Sequence, residues 1–272
     1  MDAATAYEAN ADGPLLTVSI VTFKPDLDEM RRTLTSLEAA LDGIEPENTA
    51  VFIIDNSPKD SVSSLLAGRP LRIFQGHGNI GFGKGHNLAL AEAGRFHLIL
   101  NPDIEMEADA IRKAIDFMHA HPDCGLVTPM ASWPDGTRQY LCKRFPAAFD
   151  LLLRGFAPAF VKRLFDRRLS HYEMRAETSD AVFWDPPIVS GCFMLFRGAH
   201  LKDLHGFDPG YLLYFEDFDL SLRSAKRART AYVPMVKIIH SGGHAARKGL
   251  WHIRQFTRSA LHFYRTHGLK LF

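Results

Sequence analysis

Phe96–Asp103 reads FHLILNPD, a short run dominated by large apolar side chains that ends abruptly in Asn101-Pro102-Asp103. So short a run, without regular polar alternation and closed by turn residues, predicts a strand covered on both faces. The stretches before it repeat the layout. Leu15–Phe23 (LLTVSIVTF) is a β-rich apolar run broken by Pro25 and Asp26, and Ala50–Ile54 is another, ended by Asp55-Asn56-Ser57-Pro58. Leu71–Gln75 makes a further strand. Leu27–Leu41 carries apolar residues at helical spacing (Leu27, Met30, Leu34, Leu37, Leu41), and Ser61–Ala67 allows a short helix. A glycine-rich stretch, Gly76–Gly85, leads into a helix over His86–Ala93. A helix over Ala108–His121 and a strand over Gly125–Pro129 follow. Strands alternating with helices predict an α/β fold, a mostly parallel sheet flanked by helices. Ligands of such sheets bind beyond the carboxyl ends of the strands. Thr22, Asp55-Asn56 and Asn101-Pro102-Asp103 all stand there.

The second half has a different pattern. Pro134-Asp135-Gly136 turns a hairpin within Trp133–Phe145, and Phe149–Asp180 is apolar and basic by turns and reads as helical. Ile188–Phe196 is a strand interrupted by Gly191. A loop from His205 reaches Tyr214-Phe215-Glu216-Asp217-Phe218-Asp219, before a helix over Leu220–Arg229, a last strand over Thr230–His240 and an amphipathic helix over Gly249–His267. No repeat, low-complexity tract or linker marks a boundary, so one domain is expected over residues 1–272.

Composition narrows the classes. With 272 residues, 46% hydrophobic and 23% charged, the chain has ample core and is not disordered. A net charge of +1 gives no reason to expect nucleic-acid binding. Three scattered cysteines (Cys124, Cys142, Cys192) form no disulfide framework and fit a reducing, cytoplasmic setting. Met1–Gly13 lacks the layout of a signal peptide, and no run reaches the roughly 18 apolar residues of a membrane span.

Several motifs carry chemistry. Gly76–Gly81 spells GxGxxG, but the dinucleotide fingerprint belongs to the first strand–helix turn, not the third. Gly78–Lys84 resembles a P-loop, but Gly85 stands where Ser or Thr must meet Mg²⁺. A loop needing positive φ is a second reading of these glycines. Asp103, at a strand end, is suited to hold Mg²⁺ or Mn²⁺ through oxygen, or simply to cap the next helix. Glu216-Asp217-x-Asp219 lies among aromatics that lower the local dielectric, which raises a carboxylate's pKa and suits a general base. The same residues would also make a favourable acidic first turn of a helix, Asp219 in particular. His240 and His244 read either as ligands completing an oxygen-rich metal site or as partly buried histidines without one. Arg247 and Lys248 suit a diphosphate.

Together these stretches resemble the family 2 inverting glycosyltransferases of GT-A fold, especially their rhamnosyltransferase-like branch. The matching segments are Val18–Phe23, Ile53–Ser57, Asn79–Asn87, Leu100–Asp103, Ser190–Leu195, Gly206–Asp208, Tyr214–Leu220 and His240 with its glycines. The resemblance implies a Rossmann-like nucleotide-sugar half over about 15–130 and a smaller acceptor-side part with the C-terminal helix over about 131–272. It implies that Thr22, Asp55, Asn56, Asn79, Asn87, Asn101 and Arg247 serve the donor, with Asp55 facing the base and the glycine loop shaped by the nucleotide sugar. Asp103 and His240 would hold a divalent metal, Mg²⁺ or Mn²⁺, with Asn101 replacing the first carboxylate of the family's DxD motif. Asp217 would be the base and Glu216 its companion.

The implied reaction is a single displacement with inversion, from a nucleotide-diphosphate sugar such as dTDP-L-rhamnose. The acceptor would be a saccharide or a polyprenyl-diphosphate-linked saccharide of a bacterial surface polysaccharide. The aromatic and basic helix after Gly249 is compatible with peripheral contact at the inner face of a membrane, or with simple packing on the core. Two other readings share the scaffold. A nucleotidyltransferase would need a basic glycine-rich loop near the first strand, absent from Val21–Pro25; a non-catalytic binding protein would not need Asp217 and Asp103.

Overall fold

The computed structural model describes residues 13–242 and 249–272. The sheet grows from β1 (Leu16–Thr22), which pairs in parallel with β2 (Thr49–Asp55) on one side and with β4 (Phe96–Leu100) on the other. β3 (Leu71–Phe74) extends β2 in parallel. The three inner strands are buried along nearly their whole length, as continuous apolar runs between two layers of helices must be.

Helix α1 (Leu27–Leu41) begins where the sequence places it, because Asp26 accepts hydrogen bonds from the Asp28 and Glu29 amides and caps its first turn. Its buried stripe of Met30, Leu34 and Leu37 joins the main core, each such side chain contributing roughly 1.5–3 kcal/mol of hydrophobic burial. Helix α2 (Ser63–Leu66) is a single turn.

Helix α3 (Phe82–Asn87) departs from expectation, because it starts inside the glycine stretch rather than after it. Gly76, Gly78 and Gly81 do have positive φ, but Gly83 and Gly85 are helical. A Cβ on Gly83 would lie 2.7 Å from Phe207, and one on Gly85 2.7 Å from Val21. These two glycines let the helix lie against β1 and the Phe207 loop.

Beyond β4 the sheet becomes mixed. After β5 (Ile104–Met106) and α4 (Ala110–Ala120), β6 (Cys124–Ser132) turns through the expected hairpin into β7 (Arg138–Gln139). β8 (Cys142–Lys143) pairs with β10 (Ile188–Val189) as a small separate ribbon, while β9 (Phe183–Trp184) joins the edge of the main sheet. The Phe149–Asp180 region resolves into three short helices, α5 (Ala148–Phe156), α6 (Ala159–Leu164) and α7 (Asp166–Tyr172). Gly191 divides β10 from β11 (Phe193–Arg197), and the two halves enter different sheets. β11 runs antiparallel between β4 and β6, and β12 (Arg229–His240) lies parallel to β6 and ends antiparallel to β5.

After α8 (Gly198–Asp203), the helix expected from Leu220 starts four residues early, so α9 (Glu216–Ser224) opens on the acidic pair itself. The last helix, α10 (Leu250–His267), turns Phe256, Phe263 and Tyr264 into an aromatic cluster with Tyr211, Phe215 and Phe145. It is locked to α9 by His267 Nε2, 2.8 Å from Asp219 Oδ1.

A buried polar chain crosses the first layer. Thr17 Oγ1 lies 2.7 Å from His97 Nδ1, His97 Nε2 lies 2.9 Å from Ser19 Oγ, and Ser19 Oγ lies 2.7 Å from His86 Nδ1. Burial pushes His97 down to about 3 and lowers His86 as well, so both rings are neutral and the chain is an ordinary hydrogen-bonded one.

Candidate active site

The strand ends assemble a crevice. Thr22 and Asp55 are in-register partners at the close of β1 and β2. Asp55 is buried and ties its own turn: Oδ1 accepts from the Ser57 amide, and Oδ2 accepts from the Ser61 amide and hydroxyl. Asn56 donates to the Gly81 carbonyl at 3.0 Å, which fixes the start of α3. Thr22 Oγ1 and Asn56 Oδ1 are buried without a hydrogen-bond partner among the described residues. Orphaned polar atoms cost free energy unless a ligand or water satisfies them, so this crevice is built for polar company.

Two asparagines hold the surrounding loops. Asn79 Oδ1 accepts from the Gly81 amide and shapes the turn before α3. Asn87 engages both ends of its amide with Phe207, donating to its carbonyl at 2.8 Å and accepting from its amide at 2.9 Å. It therefore clamps the Gly206–Phe207 loop.

Asn101-Pro102-Asp103 follows β4, and the Asn101 amide donates to the Cys192 carbonyl. Thr33 of α1 pins the turn by donating to the Pro102 carbonyl and accepting from the Ile104 amide. The capping alternative for Asp103 fails, because β5 follows it and α4 begins after Asp109. Asp103 Oδ1 is buried with no hydrogen-bond partner and lies 3.5 Å from His240 Nε2, longer than an N–H···O bond. His240 Nδ1 sits 2.7 Å from Gln139 Oε1, which fixes the ring with Nε2 toward Asp103. A carboxylate with an imidazole suits Mn²⁺ or Mg²⁺. Among the described residues no group of three or more His, Cys, Asp or Glu could hold a metal.

The acidic pair is presented by unusual backbone. Tyr214 and Phe215 both have left-handed φ, +73° and +68°, a rare conformation for bulky residues. That turn delivers Glu216 and Asp217 at the start of α9. Asp217 Oδ2 accepts from the Gly191 amide at 2.9 Å and Oδ1 from the Phe218 amide at 3.0 Å. A Cβ on Gly191 would approach Asp217 Cβ to 3.1 Å, which explains a glycine in the middle of an apolar run. Glu216 is buried with Oε2 unpartnered, and burial, then the charge of Asp217, pushes it up to about 8. Burial raises Asp217 too, against the pull of the two backbone amides and of Arg154. Both carboxyls therefore hold their protons more tightly than a free carboxyl does.

The pair opens on a cavity of about 840 Å³, whose wall includes Asn101, Ser190, Gly191, Leu151, Arg154, Tyr214, His252, Ile253 and Phe256. Asn101 joins this cavity to the turn that carries Asp103. The flanking aromatics mostly pack among themselves and against α10. Asp219 is buried between Arg223 and His267 and is structural. Gln139, Arg154 and the Gly191 amide were not expected at the site. Arg247, Lys248 and His244 lie outside the described residues.

Comparison with known proteins fits this geometry. The chain is 26% identical over 250 residues to the Mycobacterium tuberculosis N-acetylglucosaminyl-diphospho-decaprenol L-rhamnosyltransferase, covering 85% of this chain and 77% of that one. It is 26% identical over 253 residues to rhamnosyltransferase WbbL of Escherichia coli, covering 85% and 87%. Its α/β GT-A fold is shared with the mannosyltransferase PcManGT of Pyrobaculum calidifontis in complex with GDP-Man and Mn²⁺ (TM-score 0.58, 17% identity, 95% of this chain and 70% of that one). It is shared also with GalNAc-T7 bound to UDP, GalNAc and Mn²⁺ (TM-score 0.61, 15% identity, 83% of this chain and 42% of that one). Residues 17–204 match the family described as Glycosyl transferase family 2, and the chain belongs to that family of glycosyltransferases.

Proposed function

We propose that this glycosyltransferase works by inversion, moving L-rhamnose from a dTDP-linked donor to a hydroxyl of a saccharide carried on a polyprenyl diphosphate. The reading places it in the assembly of a bacterial surface polysaccharide. The observation that carries it is Asp217, a carboxylate of raised proton affinity held at the cavity wall by the Gly191 and Phe218 amides. The mycobacterial relative's name supports the donor sugar and the kind of acceptor.

In this mechanism Thr22, Asp55 and Asn56 line the nucleotide end, and Asn101 stands between donor and acceptor. Asp217 takes the proton of the acceptor hydroxyl as it attacks the anomeric carbon from the face opposite the nucleotide. Glu216, whose proton is held by burial and by the charge of Asp217, stays neutral beside the base. Asp103 and His240, oriented by Gln139, would hold Mg²⁺ or Mn²⁺, which when bound neutralises charge on the leaving diphosphate. Arg247 is assigned to the same diphosphate by its place in the sequence.

One domain serves both substrates. No helix among the described residues is long and apolar enough to cross a membrane. We place the enzyme in the cytoplasm with peripheral contact to the inner leaflet, where a lipid-linked acceptor resides.

The test is nucleotide release from a panel of dTDP-, UDP- and GDP-sugars with a lipid-linked N-acetylglucosamine acceptor, followed by the anomeric configuration of the product. Turnover of dTDP-L-rhamnose with inverted product is expected. Retention of configuration would sink the single displacement, and no turnover of any nucleotide sugar would sink the assignment.

A further inference from the structure

Arg154 is the one Lys or Arg among the described residues lining the cavity, and the mechanism above does not use it. It projects from α5, half exposed, with Nε 3.5 Å from Glu173 Oε1. Its terminal nitrogens make no hydrogen bond to any described residue. Glu173 is shared three ways: Arg175 Nη2 approaches it at 2.7 Å, and buried Lys143 Nζ lies 4.0 Å from it. Arg175 also pairs with Asp166. The other nearby carboxylates are spent, Asp150 on Arg168 and Glu177 on Arg144. Glu173 is thus divided among three basic side chains, and Arg154 is not committed to it alone. Lys143 shows the strain of this arrangement: burial, with Arg154 beside it, pushes its ammonium down to about 7.

The surroundings define what would be bound. Leu151 stands beside Arg154 on the cavity wall, with Ile253 and Phe256 of α10 and Leu213 completing an apolar lining. On the same helix Leu152 is exposed. The cavity therefore brings together the acid pair, a guanidinium with a free planar fork, and apolar side chains. A fork of this kind matches a phosphate with two parallel hydrogen bonds.

We propose that Arg154, backed by Lys143 and Arg175, is the subsite for the phosphate that joins an acceptor sugar to an apolar chain. The sugar would then lie toward Asp217 and the chain toward Leu152. This rests on the reading of Asp217 as the base of a sugar-transfer site and adds the residue that recognises the acceptor's charged link.

The probe is farnesyl diphosphate, titrated calorimetrically into the full chain with excess dTDP present to fill the donor crevice; farnesol serves as the uncharged control. Arg154→Ala is expected to weaken farnesyl diphosphate about tenfold or more, the equivalent of roughly 1.4 kcal/mol, while farnesol and dTDP bind as before. Arg154→Lys should recover part of the loss. Glu173→Gln, which removes the internal partner of Arg154, should bind farnesyl diphosphate at least as well as wild type. Undiminished binding by Arg154→Ala overturns the proposal, as does equal loss of farnesol. If Glu173→Gln loses affinity as Arg154→Ala does, the ion pair is structural and the subsite is refuted. Arg154-dependent binding by a protein that turns over no nucleotide sugar would leave the subsite standing and remove the transfer reading alone.

Discussion

At the scale of single residues, the site divides into groups the sequence displays and groups that only the fold assembles. Thr22, Asp55 and Asp103 were legible because each ends an apolar run, and a polar stop after a buried strand falls at the sheet's carboxyl edge. Gln139 and Arg154 were not, since their roles depend on partners far along the chain: His240 is 101 positions from Gln139. Asp217 carries the sharpest expectation. Replacing it with Asn keeps shape and removes the base, so transfer should fall ~10²–10⁴-fold while dTDP affinity stays within twofold, measured by nucleotide release and calorimetry. Full activity in that variant would remove Asp217 from the base role. Through its contact with His240 Nδ1, Gln139 would orient that ring toward a metal held with Asp103. Gln139→Leu should weaken Mn²⁺ binding ~10–100-fold, read directly by calorimetry of Mn²⁺ in the presence of dTDP. Unchanged Mn²⁺ affinity would show that His240 is not a ligand or needs no orientation. The acid pair sets a pH dependence for activity: burial raises the proton affinity of Asp217, so transfer should rise with pH as that proton leaves, and Glu216→Gln, which mimics the neutral Glu216, should leave the rise in place in a pH–rate profile.

Among elements, the informative surprise is α3. Its glycines read as a loop because glycine is poor in helices, yet Gly83 and Gly85 are there for closeness, not for freedom. Propensity lost to packing: Phe207 and Val21 occupy the space a side chain would need. Gly83→Ala should therefore destabilise by about 1–3 kcal/mol through overpacking, seen as a lower thermal midpoint. A neutral or stabilising result would mean that α3 has room to shift. The polar chain between β1, β4 and α3 adds a pH dependence of opposite sign to that of the acid pair. His97 falls from an ordinary 6.5 to about 3 in the fold, so the unfolded chain binds more protons between those values. Its stabilising contribution is complete above pH 6.5 and is lost as pH falls toward 3. Glu216 rises from 4.5 to about 8; its contribution is complete below pH 4.5 and is lost as pH climbs through 8. Stability should peak between these limbs, and Glu216→Gln should flatten the alkaline limb alone in denaturant titrations. An unchanged limb would contradict the raised proton affinity assigned to that carboxyl.

Taken as a whole, the molecule combines a polar crevice at the sheet's carboxyl edge with a surface where large apolar side chains stand exposed. The sequence left the last helix either membrane-facing or packed on the core, and the inner face of α10 is occupied by the aromatic cluster. The most exposed large apolar side chains lie elsewhere: Leu164 at 80%, Phe160 at 76% and Phe272 at 75%. They are on or near α6, and the C-terminal tail is joined to α5 by the Ala148 and Phe149 amides donating to Lys270 and Leu271 carbonyls. Lys162, Arg163, Arg167 and Lys270 accompany them in sequence, and none forms an ion pair with a described residue. Exposed apolar groups interspersed with unpaired cations suit an anionic bilayer surface, where each cation contributes about 1 kcal/mol and the attraction is screened by salt. The cavity wall residue Leu151 and the exposed Leu152 are neighbours on α5, so a chain anchored in such a bilayer has a short path to the site. Full-length protein should therefore co-sediment with vesicles containing anionic lipid, less so at high salt and hardly at all with neutral vesicles. Phe160→Ser with Leu164→Ser should abolish this while leaving dTDP binding intact, because neither side chain belongs to the core. Binding that survives the double substitution, or that ignores lipid charge, would move the membrane contact away from α6.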